Sequence, residues 1–213
     1  FGYMKFLTYL DLSFCNGLTD TGLRYLSLGG CGRKLKTLKF QNMNSVSDGP
    51  ILMFLLSCTS VTDLDLSGTI SLSDKNAAIC LRKLRSVQKL NVSGLPLISK
   101  YFFETVRDYC PLIVDLDVSN CAKVTSSVLK VLEESRTILK INISSCSGLD
   151  KDGITHVPNW RLTHLIARNL PNVIDESIIS LANSHVELEV LDLSYNNIST
   201  RSIVQLKKKW QKK

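Results

Sequence analysis

The chain has 213 residues, enough for one long domain or two short ones around a sizeable core. Its densest apolar run, Ile51 to Leu56, is far too short for the roughly 18 residues of a membrane span. Lys207, Lys208, Lys209, Lys212 and Lys213 carry most of the net charge of +7, so the body is close to neutral, which argues against a nucleic-acid-binding domain.

The amino terminus, Phe1-Gly2-Tyr3-Met4-Lys5, has no initiator methionine and lacks the charged start and long apolar stretch of a signal peptide. The residues are therefore expected to be part of a longer protein. From Leu7 onward one pattern, L-x-x-L-x-L with aliphatic substitutes, governs the chain. It begins at Leu7, Leu35, Val61, Val87, Ile113, Ile138, Leu162 and Leu188, at intervals of 24 to 28 residues. In the first copy Leu10 and Leu12 are two apart, so they face one side of a short strand, while Tyr9, Asp11 and Ser13 face the other. A turn follows, with Cys15, Cys121, Cys146 or Asn196 at one recurring position.

After the turn an apolar residue precedes Ser, Thr or Asp, as in Leu18-Thr19-Asp20, Val46-Ser47-Asp48, Leu72-Ser73-Asp74, Val124-Thr125-Ser126 and Ile198-Ser199-Thr200. That oxygen is what a helix N-cap needs to accept the free N–H groups of the first turn. Apolar residues then recur at helical spacing, as at Val128, Leu129 and Leu132. Pro50, Pro96, Pro111, Pro158 and Pro171 fall in turns or near helix starts. The sixth repeat is the shortest, and Val157-Pro158-Asn159-Trp160 replaces most of its helix, so a truncated convex segment is expected there.

A unit of strand, turn and helix cannot bury both apolar faces alone. Stacking eight of them makes a parallel sheet on the concave side and helices on the convex side, an α/β leucine-rich-repeat solenoid of arc or horseshoe form, as a single domain over 1–213. The ends of such an array need covers. Phe1, Tyr3, Met4 and Phe6 call for preceding residues or a partner over the first repeat, and Trp210 is expected to fold over the last.

The stretch Leu10-Asp11-Leu12-Ser13-Phe14-Cys15-Asn16-Gly17-Leu18-Thr19-Asp20-Thr21-Gly22-Leu23 resembles the cysteine-containing type of leucine-rich repeat, L-x-L-x-x-C-x-x-L-T-D-x-G-L. That type is typical of F-box/leucine-rich-repeat proteins, and the resemblance implies repeats that select a substrate for a cullin-type ubiquitin ligase. The F-box itself, a helical module preceding the repeats, is not among these residues. A narrower likeness, through Thr19 to Gly29 with Cys31 and Lys34-Leu35, is to the F-box/leucine-rich-repeat subunits of the ciliary nexin–dynein regulatory complex, which serve as axonemal scaffold components. Met43, Thr69, Leu95 and Leu170 depart from the pattern, standing where Cys or Asn is expected.

Strand alternation sorts the concave face into three columns. The first runs Tyr9, Thr37, Asp63, Lys89, Asp115, Lys140, His164, Val190; the second Asp11, Lys39, Asp65, Asn91, Asp117, Asn142, Ile166, Asp192; the third Ser13, Gln41, Ser67, Ser93, Ser119, Ser144, Arg168, Ser194. The candidate partner-binding residues are Tyr9, Asp11, Lys39, Asp63, Asp65, Lys89, Asn91, Asp115, Asp117, Lys140, Asn142, His164 and Arg168. Asp63, Lys89, Asp115 and Lys140 alternate in sign at about 5 Å. They read either as a recognition strip or as a surface ladder whose charges satisfy one another. The serines either open the sheet to close approach or simply fit the corner after the strand.

Chemistry finds no foothold. The histidines His156, His164 and His185 have no acidic or cysteine partner at metal-ligand spacing, and no phosphate-binding or nucleophile-elbow sequence occurs. Asp63 with Asp65, and Asp115 with Asp117, lie on an open surface beside lysines rather than in a pocket that tunes an acid–base pair. The seven cysteines, Cys15, Cys31, Cys58, Cys80, Cys110, Cys121 and Cys146, are odd in number and contain no Cys-x-x-Cys, so they read as free thiols in a reducing compartment. Cys15, Cys121 and Cys146 are expected to point inward, with Cys58 and Cys110 closing helices. No catalytic activity, cofactor or metal is expected. Protein partners are, either a cullin-ligase adaptor bound through an F-box or axonemal subunits, in the cytoplasm or the cilium.

Overall fold

A computed structural model of the chain describes residues 4–157, 161–184 and 188–210. Pro158 to Trp160, His185, Lys212, Lys213, Phe1 and Tyr3 lie outside the described residues. Eight three-residue strands, β1 (Tyr9–Asp11), β2 (Thr37–Lys39), β3 (Asp63–Asp65), β4 (Lys89–Asn91), β5 (Asp115–Asp117), β6 (Lys140–Asn142), β7 (His164–Ile166) and β8 (Val190–Asp192), form one parallel sheet in chain order. Seven helices cover the other side: α1 (Asp20–Gly29), α2 (Asp48–Ser57), α3 (Asp74–Leu81), α4 (Lys100–Tyr109), α5 (Ser126–Glu133), α6 (Asp175–Ser184) and α7 (Thr200–Trp210). This is the α/β leucine-rich-repeat solenoid expected from the period. In the sixth repeat the convex helix shrinks to a single 3-10 turn, Gly153–His156, as its short length requires.

All three aliphatic positions of the repeat point inward. Leu38, Leu64, Leu90, Leu116, Ile141 and Leu165 at the strand centres are buried, as are Leu35, Val61, Val87, Ile113, Ile138 and Leu162 before them. Leu7 and Leu12 in the first repeat, and Leu188, Leu191 and Leu193 in the eighth, are only partly buried, as each of these repeats has a neighbour on one side only among the described residues. Trp210 packs against this last core layer, as expected of a cap. At the opposite end Leu10, Leu12, Leu18, Tyr25 and Leu26 line a hollow of about 570 Å³.

Three residues of strand hold little by themselves; the turn after them extends the ladder. In every repeat one residue there adopts a left-handed conformation: Phe14, Asn42, Gly68, Gly94, Asn120, Ser145, Asn169 and Tyr195. Its N–H then donates to a carbonyl of the next repeat, from Phe14 to Gln41 through Asn169 to Ser194, at 2.8–3.0 Å. Such a backbone costs a residue with a side chain roughly 1 kcal/mol, so Gly and Asn are the expected occupants. Phe14 and Tyr195, at the two ends of the array, are not, and both rings are exposed.

The recurring Cys or Asn position is a donor aimed at the preceding repeat. Cys121 Sγ donates to the Val92 carbonyl at 3.3 Å and Cys146 Sγ to that of Val118 at 3.2 Å. Asn196 Nδ2 reaches Ala167 O, and Thr69 Oγ1 reaches Phe40 O, both at 2.6 Å. Thr69, a departure from the consensus, therefore keeps its function. Cys15 is exposed and lines the hollow at the first repeat beside Leu10, Leu12 and Leu18. Cys58 and Cys110 are the C-caps of α2 and α4.

A third inter-repeat bond was read in the sequence as a local cap. Thr19, Ser73 and Ser99 do cap their own helices, but Ser47 and Thr125 make no capping bond. The Asp that opens α1, α2, α3 and α6 reaches the next repeat. Asp20 accepts from Ser47 N at 2.7 Å, Asp48 from Ser73 N at 3.0 Å, Asp74 from Ser99 N at 2.8 Å and Asp175 from Ser199 N at 2.8 Å. The serine hydroxyls and N–H groups hold Asp20 and Asp175 below the usual carboxylate range.

Close stacking also distinguishes two glycines that occupy one repeat position. A Cβ at Gly148 would meet the Ala122 carbonyl oxygen of the preceding repeat at 2.3 Å, whereas at Gly17 it would meet nothing within 4 Å. Gly148→Ala should therefore destabilise the protein by about 2 kcal/mol, as forced overpacking does, while Gly17→Ala stays within about 0.5 kcal/mol of the parent in urea unfolding. Equal effects at the two sites would refute this stacking geometry.

Candidate protein-binding face

The three concave columns stand in register: Asp63 pairs with Lys89, Lys89 with Asp115 and Asp115 with Lys140, and the second column pairs Asp65 with Asn91, Asn91 with Asp117 and Asp117 with Asn142. All thirteen candidate residues lie on this sheet face or at its exit turns. The two leading columns nevertheless have different employment.

The second column, Lys39 and Ile166 apart, is spent on the fold. Asp65 is only 8% exposed. One of its oxygens accepts from Ser67 N and Oγ, closing its own turn; the other accepts from Gln41 Nε2 at 2.6 Å and Asn91 Nδ2 at 3.2 Å in the flanking repeats. Asp117 does the same with Ser119 and with Asn142 Nδ2 at 2.9 Å. Asn91 and Asn142 accept from Ser93 N and Ser144 N. Asp11 accepts from Ser13 N at 2.9 Å, and Tyr9, exposed at the sheet edge, donates weakly to Asp11 at 3.4 Å. The serine column thus fits the corner after the strand, where its hydroxyls and N–H groups tie off the second column. Gln41, outside the candidate set, belongs to the same network, and its unusual size in a column of serines was the signal for it.

The first column behaves otherwise. Asp63, Lys89, Asp115 and Lys140 alternate as expected, yet among the described residues none of them, nor Lys39, forms an ion pair within 4.0 Å. The surface ladder of mutually satisfied charges does not close. Lys89 and Lys140 extend into solvent, while the short aspartates stay half-buried. Burial pushes the Asp115 carboxyl up, Lys140 and Lys89 partly offset this, and Asp117 and Asp63 add to it. Lys39, Asp63, Lys89 and Asp115 rim a shallow depression of about 240 Å³ at the centre of the face.

Towards β8 the face changes character. Arg168 is spent on an ion pair with Asp192, its Nε donating at 2.7 Å, and that guanidinium with Ser194 holds Asp192 well below the usual carboxylate range. His164 Nδ1 lies 2.9 Å from Thr163 Oγ1, and Ile166 interrupts the polar column. His156 sits on the other side of the molecule, 3.5 Å from Glu133.

Among the described residues, no group of three or more His, Cys, Asp or Glu side chains is arranged to hold a metal ion, and no helix is long and apolar enough to cross a membrane. Nucleophilic chemistry has one accessible thiol, Cys15; the other six cysteines are buried. Burial pushes Cys58, Cys80, Cys110 and Cys146 up to about 12 and Cys121 up to about 11.

Leucine-rich-repeat family models match residues 3–31 and 187–208. Among solved structures, yeast Rad7, determined in complex with Elc1, aligns with a TM-score of 0.68 and 22% identity over 85% of this chain and 46% of that one. An internalin of Listeria monocytogenes, InlF, gives 0.60 and 15% over 86% and 48%, and InlC2 of the same organism 0.56 and 18% over 95% and 78%. The chain spans less than half the length of the Rad7 and InlF chains. With its eight-stranded parallel sheet and these two matches, the chain has the leucine-rich-repeat solenoid fold.

The division of labour between columns predicts opposite mutational effects. Asp65→Ala leaves four donors without their acceptor and should cost about 2 kcal/mol in urea unfolding, against about 0.5 kcal/mol or less for Lys89→Ala. The thiols give a second test. A thiol whose pKa is raised by folding adds stability that is complete below its unfolded value, near 9, and lost as pH climbs towards 11 or 12. The melting temperature should therefore fall above pH 9, and at pH 8 a disulfide reagent should label Cys15 alone until the chain unfolds. Rapid native labelling of more than one thiol would contradict this.

Proposed function

We propose that this chain is the client-recognising repeat array of an F-box/leucine-rich-repeat protein, a non-catalytic substrate receptor of a cullin-type ubiquitin ligase acting inside the cell. One observation carries the recognition part: the unpaired, alternating charges of Asp63, Lys89, Asp115 and Lys140, with Lys39 beside them, on an open sheet whose other polar groups are already bonded. Free charges held at fixed spacing on a rigid surface select a partner of complementary order and speed its approach, while rejecting a chain with the opposite order. The ligase part rests on the cysteine-containing repeat signature of residues 10–23, whose donor role is seen at Cys121 and Cys146.

A second reading is a scaffold subunit of a large assembly such as the ciliary axoneme, with stoichiometric, permanent contacts. The likeness of Thr19 to Gly29, with Cys31 and Lys34-Leu35, favours it. In both readings the partner is a protein, and the near-neutral body disfavours nucleic acid.

Purification of the tagged full-length protein from its native cells, followed by mass spectrometry, separates the two. Recovery of a cullin and its F-box adaptor at near-equal amounts is the expected result. Recovery of axonemal linker and dynein-regulatory proteins without a cullin would replace the receptor by the scaffold.

A further inference from the structure

The convex surface carries a feature that concave recognition leaves unused. A solenoid helix shows one face to the core and one to water, and α4 and α5 do so, with Lys100, Glu104 and Asp108 or Lys130 and Glu133 outward. α2 does not. After Asp48 it reads Gly49-Pro50-Ile51-Leu52-Met53-Phe54-Leu55-Leu56-Ser57, without a charge. Ile51, Phe54 and Leu55 are buried in the core, but Met53 remains 59% exposed and Leu52 and Leu56 only partly covered. A helix apolar on all sides is ordinarily a buried helix.

The neighbouring helix completes a groove. Leu28 of α1 is 83% exposed, and with Arg24, Pro50, Leu52 and Met53 it bounds a recess of about 520 Å³ between α1 and α2. Ser27 and Gly49 deepen its floor, and nothing lies within 4 Å of where a Gly49 Cβ would stand. Leu28 also borders a second recess of about 520 Å³, whose wall is Phe6. Around the pair stand Lys5, Arg24, Arg33 and Lys34, none of them in an ion pair among the described residues. Lys34 Nζ lies over the Phe6 ring, 4.8 Å from its centroid. The nearby carboxylates, Asp20 and Asp48, are already bonded to Ser47 and Ser73.

We infer that this groove docks a segment of another protein in which large apolar side chains are flanked by carboxylates. Two adjoining recesses that share Leu28 suit successive apolar residues of one amphipathic helix, the groove-binding mode in which i, i+4 and i+7 side chains are the anchors. Four cations at the rim, none in an ion pair among the described residues and only Arg24 near a carboxylate, Asp20, favour an acidic partner. Recesses, rather than a projecting wedge, fit side chains better than they fit a membrane surface. A second copy of this chain, with a net charge of +7 that sits mostly in its C-terminal lysines, would add positive charge to the rim rather than offset it. The proposal concerns the face opposite the sheet and stands apart from the receptor reading.

Fluorescence anisotropy with a labelled synthetic helix, leucines at i, i+4 and i+7 and glutamates on the remaining face, tests it on the full chain. The glutamate peptide should bind, weaken as salt rises, and lose about tenfold in affinity to Leu28→Asp, to Met53→Asp and to Arg33→Glu with Lys34→Glu. Lys89→Glu on the concave face should leave this binding unchanged, which separates the groove from the sheet. Because every substituted side chain is exposed, circular dichroism should show parent-like melting for each variant. Equal affinity for a lysine-faced version of the peptide, or binding indifferent to the groove variants, or no binding at all, overturns the proposal. So does sedimentation with anionic phosphatidylserine vesicles, or a concentration-dependent dimer, that the same variants abolish.

Discussion

Everything in this molecule follows from one constraint: a repeat of about 26 residues cannot bury its own aliphatic triplet, so each must be closed by its neighbours. Three kinds of bond hold the neighbours in place. The left-handed residue after each strand hands its N–H to the next repeat, the Cys, Asn or Thr of the turn hands its proton to the previous one, and the helix-opening Asp accepts from the next N-cap. These bonds lie at different heights of the unit, so a repeat can neither slide nor tilt without breaking one. Side chains on the concave face consequently inherit fixed spacing from the backbone, which a recognition surface needs.

That rigidity divides the polar groups of the face into two populations. Asp65, Asn91, Asp117 and Asn142 close turns and link strands, and their removal is a matter of stability. Lys39, Asp63, Lys89, Asp115 and Lys140 form no ion pair among the described residues, which leaves their charges open to a partner. A buried, bonded carboxylate beside an unpaired one of the same residue type is a useful reminder that charge on a surface is not by itself evidence of binding. What distinguishes the two is whether the fold has already satisfied them.

Much of this was legible in the residues. A two-residue alternation inside a 24- to 28-residue period leaves no freedom in which side chains face outward, so strand positions, register and all three columns agree with the sheet found. Less legible was anything that depends on a contact between repeats. Phe14 and Tyr195 have no propensity for left-handed backbone and adopt it because their repeat position demands it. Asp20 looked like helix-start chemistry, yet its acceptor role is directed at Ser47, 27 residues away. Cys15 stands at the position of Cys121 and Cys146 yet is exposed, which sequence position alone did not reveal. The charge-free run of α2 was visible as an apolar stretch too short for a membrane, but only stacking against α1 shows that Leu28 and Met53 stand side by side.

The account's central claim is that the first column is reserved for recognition while the second holds the fold. The most direct measurement compares the parent with a protein carrying Lys89→Glu and Lys140→Glu together, reading both the unfolding midpoint and the affinity for a partner recovered with the parent, at low and high salt. The account predicts an unfolding midpoint close to the parent's, with affinity lost at low salt and the salt dependence flattened. Full retention of binding, or unfolding at markedly lower denaturant, would contradict it.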